Sequence, residues 1–253
     1  MPTVDLNSDL AEGYGIWTLT EDEALMSVVT SANIACGLHA GDPEIMAKAF
    51  AFAKSKGVAV GAHPGFPDLW GFGRRRIPFS PGEIERLVAY QVGAAQALAT
   101  YSGHRITYVK SHGALGNICE ENAEVATAFA RAVKAVDPSL AILAGPLGEQ
   151  APATRAAGLR AVAEIFADRG YTEQGRLIAR GQPGAMVHDP DVAADRMIAM
   201  VESGAIITAA GTKLPTEIAS ISVHGDGPHA VETARHVRTR LEAAGITVAP
   251  FAP

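Results

Sequence analysis

The chain has 253 residues, 48% of them hydrophobic and 19% charged, the balance of a globular protein with an ample core, which excludes disorder. Its 27 acidic and 21 basic residues leave a net charge of -6 and no basic field, so no nucleic-acid partner is expected. The N-terminal stretch is acidic where a signal peptide is basic, and no apolar run approaches the roughly 20 residues of a membrane span. Cys36 and Cys119 make no disulfide framework, so a cytoplasmic protein with free thiols and no membrane contact is expected.

In chain order, short β-rich runs alternate with longer helical patterns. A strand at 3–7 precedes a helix at 21–29; strand 30–36 precedes helix 43–56; strand 58–62 precedes helix 81–101. Strand 107–110 is followed by helix 122–136, strand 140–144 by helix 147–156, strand 161–166 by helix 190–203, and strand 220–224 by helix 229–244. Asp42-Pro43-Glu44 and Ser80-Pro81-Gly82-Glu83 each place a capping side chain before a proline at the first helical position, and Gly57 and Gly245 follow helical stretches. No linker divides the pattern, so residues 1–253 read as one α/β domain of seven strand–helix repeats.

Such a count suits a barrel of the TIM type or an open doubly wound sheet. The first strand ends in Asp5, Asn7 and Asp9 and not in a glycine-rich nucleotide turn, which favours the barrel. Polar residues then recur at the strand ends: Asn33, Cys36 and His39; His63; Lys110 and His112; Glu164, Asp168 and Arg169; His224 and Asp226. Only the fifth strand ends blandly, in Gly145-Pro146.

In a barrel these ends converge on one mouth, where active sites are built. His39, His63, His112 and His224 each have a glycine within two residues, which predicts room for a substrate. One histidine beside a glycine is ordinarily a turn residue; four at equivalent points, level with carboxylates and a lysine, make a site. His104, His188, His229 and His236 fall outside that pattern.

Asp5 lies in an apolar strand context and is expected to pair with Lys110 or a histidine, since an unpaired buried carboxylate is costly. Lys110 closes an apolar run and is expected to face the barrel interior. Arg180 suits a substrate carboxylate, and the run 71–76, Gly-Phe-Gly-Arg-Arg-Arg, reads as a lid or anion contact against a plain solvated loop. A P-loop, a dinucleotide fingerprint, a serine elbow and a helix-borne zinc motif are all absent. By residue type, Asp5, His39 and His63 could hold a divalent metal.

Six ordered stretches, VDLNSDLAEG (4–13), ANIACGLHAGDP (32–43), GAHPGFPDLWGFGRR (61–75), YVKSHGAL (108–115), EIFADRGY (164–171) and SVHGDGP (222–228), resemble the LamB/YcsF family over nearly the whole chain. The resemblance implies a (β/α)7 TIM-like barrel of the glycoside hydrolase/deacetylase type. It also implies an ATP-dependent cyclic amide hydrolase that opens 5-oxoproline to glutamate together with partner subunits B and C, ATP being a cosubstrate. The matching positions are Asp5, Asn7, Asp9, Glu12, Asn33, His39, Asp42, His63, Lys110, His112, Glu164, Asp168, Arg169, His224 and Asp226. Ser8, Ser111 and Gly116 depart from the family's usual cysteine, proline and tyrosine, with substrate preference the property most exposed to the change.

Catalytic roles are expected for Asp5, His39, His63, Lys110, His112 and Glu164. Among them Asp5, His63 and Glu164 are general-base candidates, and Lys110 is the stabiliser of a developing oxyanion. Substrate contacts are expected from Asn7, Asn33, Asp168, Arg169, Arg180, His224 and Asp226. Two other readings fit the same residues: a metal-dependent deacetylase or amidase, and a non-catalytic subunit that binds a lactam or small carboxylate.

Overall fold

The computed structural model describes residues 2–227 and 229–251, so Pro228, which closes the last motif, lies outside the described residues. The strands are β1 (Thr3–Leu10), β2 (Ser31–Ala35), β3 (Ala59–His63), β4 (Ile106–Lys110), β5 (Ala141–Ala144), β6 (Ala161–Phe166), β7 (Ala205–Ile207), β8 (Lys213–Pro215), β9 (Ser220–Ser222) and β10 (Thr247–Val248). The strands β1 to β6 and β9 pair in parallel in that order, and β9 pairs back with β1, which closes a seven-stranded barrel. β2, β3 and β5 are buried along their whole length, as expected where helices cover a parallel barrel from outside and side chains fill it from within.

The helices are α1 (Asp22–Met26), α2 (Pro43–Lys56), α3 (Pro81–Tyr101), α4 (Gly113–Glu121), α5 (Ala123–Val136), α6 (Gln150–Ala156), α7 (Pro190–Ser203) and α8 (Ala230–Ala243). Their ends follow the sequence punctuation. Asp42 accepts from the amides of Glu44 and Ile45 ahead of Pro43, and Gly57 closes α2 in the left-handed region at φ 68°. Glu83 accepts from Ser80 N at 2.8 Å at the start of α3, and Asn122 caps α5. Inward apolar faces do the packing: Phe50, Val88, Phe129 and Met197 are fully buried, each contributing roughly 2 kcal/mol by transfer from water.

Four elements were not legible in the sequence. α4 is short, carries the poor helix former glycine at 113 and 116, has no capping side chain and leaves β4 through the Ser111-His112 link. β7 and β8 form a short antiparallel hairpin between α7 and β9, and β10 adds to β1 at Thr3 and Val4. Among the described residues no helix is long and apolar enough to cross a membrane.

The barrel interior is divided. Tyr108, Ala141, Leu143 and Val162 form an apolar plug against which Phe251 packs, its ring 5.1 Å from that of Tyr108. A Cβ on Gly61 would overlap the Tyr108 ring, so the plug depends on bare backbone in β3. Elsewhere the interior is polar, because β1 sends Asp5, Asn7 and Asp9 inward at period two and β2 and β9 meet them with Ser31, Asn33, Ser220 and Ser222.

Candidate active site

Lys110, at the end of β4, is buried and reaches across the barrel. Its Nζ donates to Asp9 Oδ1 at 3.0 Å, Ser222 Oγ at 2.9 Å and Asn7 Oδ1 at 3.2 Å, and stands 3.0 Å from Glu164 Oε1. Burial alone would strip its charge, but Asp9 and Glu164 outweigh that and raise its pKa, so the ammonium is retained. His63 and Lys110 likewise overcome burial at Asp9 and hold its carboxyl well below the ordinary range. Asn7 Nδ2 donates to Glu164 Oε1 at 2.8 Å, and Asn33 Nδ2 donates to Asp9 Oδ1 at 2.8 Å, which fixes both carboxylates.

Beside this network lies a cluster of Glu12, His39, His63 and His112, each offering a ligand atom within 4.8 Å of the others. His63 Nδ1 meets the Lys110 carbonyl at 2.8 Å and His112 Nε2 meets the Phe72 carbonyl at 2.7 Å. A carbonyl only accepts, so both of those nitrogens carry protons and the opposite nitrogens face inward. The inward pair, His63 Nε2 and His112 Nδ1, stand 3.0 Å apart. Burial, and then the neighbouring imidazoles, push the pKa of His39 and His112 well below the ordinary histidine value, so His112 Nδ1 turns a lone pair toward His63 Nε2.

Glu12 Oε1 lies 3.2 Å from His39 Nε2 and 3.4 Å from His112 Nδ1; burial, then Asp9, raises its pKa. His39 Nδ1 is buried without a hydrogen-bond partner. Three imidazoles and a carboxyl group converging within 4.8 Å, with the carbonyls of Lys110 and Phe72 orienting two of the rings, fit a zinc-type divalent cation. Asp5, which the sequence offered as a ligand, is not in this group; Glu12 takes that place.

Lys110, His63, His112, Glu164 and His224 open onto a cavity of about 410 Å³ at the C-terminal ends of the strands, with Arg74, Arg76, Arg169, Arg176 and Arg180 along its walls. Asp168 accepts from His224 Nδ1 at 2.7 Å, and that contact, against the opposing effect of burial, lowers its pKa. Arg169 donates to the carbonyls of Ala185 and Ile178; burial, then Arg180, brings its pKa down to about 10. Arg180 is exposed, with only a 3.5 Å contact to Met186 Sδ, and is available to an anion. The 71–76 run is tied down by pairs of Arg74 with Asp226 (2.7 Å), Arg75 with Asp68 and Arg76 with Glu121 (2.7 Å), so it forms a wall of the cavity.

The sequence expectations sort accordingly. Asp5 meets neither Lys110 nor a histidine: it accepts from Thr30 and Ser31 at 2.6 Å and from Ser220, two residues deeper in β1 than Asn7, and does not line the cavity. His39 is fully buried away from the cavity. Its glycine surroundings make room for imidazoles, since a Cβ on Gly65 or Gly73 would stand 2.7 Å from its ring or its Cβ. Asn7 and Asn33 act on Lys110, Asp9 and Glu164 from beneath the cavity lining, and Asp168 and Asp226 reach it through His224 and Arg74. Asp42 is the cap of α2.

Ser111 and Gly116 both line the cavity, and a Cβ at 116 would stand 3.0 Å from the Ser111 carbonyl, so these two departures fit one another. Sequence reasoning missed Glu120 and Gln150, which also line the cavity; their only trace was the pair of glycines, Gly145 and Gly148, in the bland turn after β5.

Comparison with known proteins agrees with this architecture. The A subunit of 5-oxoprolinase from Azorhizobium caulinodans is 83% identical over the full length of both chains, and its counterpart from Gluconobacter oxydans is 58% identical over 97% of each. The solved structure of a lactam utilization protein from Thermus thermophilus superposes with a TM-score of 0.93 at 42% identity, covering 98% of this chain and 100% of that one. The LamB/YcsF family description matches residues 4–253, and the chain belongs to that family.

Proposed function

We propose that this chain opens the ring of 5-oxoproline to give glutamate, as the barrel subunit of a cytoplasmic, ATP-driven assembly with partner subunits B and C. The observation that carries the reading is the Lys110, Asp9 and Glu164 constellation at the base of a cavity walled by arginines. The names of the relatives point the same way. A five-membered lactam is a stabilised amide. Coupling to ATP, by phosphorylating the amide oxygen, activates its carbon, and the nucleotide chemistry falls to the partners.

In this reading Arg169 and Arg180 hold the substrate carboxylate at the rim. The Lys110 ammonium, aimed by Asp9, Asn7 and Ser222, stabilises negative charge developing on the carbonyl oxygen. Glu164 takes the proton of the attacking water. The test is glutamate release from 5-oxoproline and ATP by the chain alone and then with its partners. Glutamate formed in the mixture, and lost with Lys110→Ala, supports the reading; none from a folded, complete mixture rejects it.

The opposed His63 and His112 nitrogens favour a metal-dependent version of the same chemistry, with Glu12, His39, His63 and His112 holding a divalent cation. When bound, such a cation supplies Lewis-acid polarisation and a more acidic water. Elemental analysis of the purified chain, with turnover measured before and after chelation, tests it. Stoichiometric metal whose removal abolishes activity is the expected result.

A further inference from the structure

Strand β5 brings no polar residue of its own to the mouth, and a carboxyl from α4 fills the place. Glu120 lies against the turn after β5, where Gly145 N donates to its Oε1 at 2.8 Å. A Cβ on Gly148 would overlap Glu120 Oε2, and one on Gly145 would stand 3.1 Å from its Cδ, so two bare residues make the seat. The second oxygen, Oε2, is buried and has no hydrogen-bond partner. Nor has Nε2 of Gln150, a side chain that is 1% exposed and whose Oε1 accepts from Ser111 Oγ at 3.3 Å.

Both residues line the cavity that holds Lys110 and Glu164. Buried polar atoms ordinarily find partners, and a carboxyl oxygen and an amide donor left over in one cavity are the complement of a ligand that presents a nitrogen and an oxygen. The base of the cavity already has groups for the carbonyl oxygen and the water. What it lacks is a proton for the nitrogen, since an amine is too basic to leave as an anion whatever group has activated the carbonyl.

We propose that Glu120 is the acid of the ring-opening step, donating through Oε2 to the lactam nitrogen as the C–N bond breaks, while Gln150 Nε2 donates to a substrate oxygen beside it. This rests on the reading of the chain as a lactam-opening subunit. The water oxygen bonds to the ring carbonyl carbon and its proton passes to Glu164. The phosphoryl group leaves the amide oxygen for a second water as inorganic phosphate, and the electron pair left there re-forms the carbonyl as the C–N bond breaks with its own pair kept on nitrogen, where the Glu120 proton completes the amine. Glu164 ends with one proton more and Glu120 with one fewer, and exchange with solvent restores both.

The environment suits that role. Burial is the main influence on Glu120 and Glu164 adds to it, while the Gly145 and Gln150 amides and Arg176 oppose them; the carboxyl is pushed up to about 7, so a protonated population is kept in neutral solution where an ordinary glutamate has almost none.

The test is the pH profile of glutamate formation by the complete mixture, from about pH 6 to about pH 9. The wild-type rate is expected to fall on the alkaline side as Glu120 ionises. Glu120→Gln should lower kcat by roughly 10²- to 10⁴-fold, leave KM little changed and abolish that limb. Glu120→Asp, which keeps an acid, should recover part of the rate together with the limb, as a merely structural role would not. A folded Glu120→Gln that turns over at the wild-type rate with the limb intact overturns the assignment while the lactam reading stands. A wild-type mixture that makes no glutamate overturns the reading and the acid with it. If Glu120→Gln does not fold, an Asp variant with wild-type rate and an unshifted profile rejects the proposal.

Discussion

The floor and the mouth of the barrel are both built from polar side chains, and they treat them in opposite ways. On the floor, Asp5 accepts from three hydroxyls, those of Thr30, Ser31 and Ser220, and the Tyr108 hydroxyl donates to Asn33 at 2.7 Å. Burial raises the Asp5 pKa and the hydroxyls work against it, so its partners are arranged to keep a carboxylate in place. At the mouth, Glu120 Oε2 and Gln150 Nε2 are buried without partners, and His39 Nδ1, in the histidine cluster beside it, completes the set of such atoms among the described residues. A satisfied network stabilises one structure, and an unsatisfied one keeps capacity for a ligand. Residue type does not separate the two regions; the completeness of hydrogen bonding does.

The largest expected effect is at the base of the cavity. Lys110→Ala should lower turnover by at least roughly 10²- to 10³-fold, the scale of losing one donor to a developing oxyanion, with a circular dichroism spectrum like that of the wild type. Retained turnover in a folded variant would break the distinction between mouth and floor at its strongest point. Next comes the histidine cluster. His63→Ala removes one of the two opposed nitrogens, so bound divalent metal should fall from stoichiometric to a small fraction by elemental analysis, and turnover should fall with it. A metal-free wild type with full activity would leave the cluster a purely structural stack, as the 3.6 Å spacing of the His39 and His112 rings would then suggest.

Depth along the barrel axis is what separates the floor from the mouth. Period two in β1 puts Asp5, Asn7 and Asp9 on one face, and the sequence pattern shows this plainly. What it does not show is depth along the barrel axis, which depends on the register with Ser220 and Ser31. Asp5 therefore reads as a member of the site, although it lies a full two-residue strand repeat below Asn7. His39 shows the same limit: its sequence neighbours Gly37 and Gly41 do not face a ligand, and the bare backbone that makes room for its ring comes from Gly65 and Gly73.

Lys110, His63, His112 and Glu164 were legible because they end strands of a repeating pattern, and the repeat fixes which end is the mouth. Glu120 was not, since it comes from a short glycine-bearing helix inserted between β4 and α5 and reaches the site across the turn after β5.

A smaller effect tests the floor directly. Asp5→Asn leaves one hydroxyl without its acceptor, and the expected cost is about 1 to 3 kcal/mol of stability. Activity per folded molecule should fall far less than with Lys110→Ala. Thermal melting alongside kinetics separates the two quantities, and a large loss of turnover with unchanged melting would return Asp5 to the site.

The mildest and most diagnostic comparison sets Glu120 in the folded chain against Glu120 in the unfolded one. Its carboxyl titrates at about 7 when folded, against the ordinary 4.5, so between those values the folded state holds more protons. A raised pKa means that this contribution to stability is fully present below about 4.5 and is lost as pH rises through about 7. At pH 8 the folded chain carries an ionised carboxylate in a seat that disfavours it, a penalty on the order of 3 kcal/mol that Glu120→Gln removes. The variant should therefore melt higher than the wild type at about pH 8, and the gap should close at about pH 5, where both side chains are neutral. An equal gap at both values would mean that the carboxyl is already ionised at neutral pH in the folded protein. The mouth would then hold no proton at that position for a leaving nitrogen.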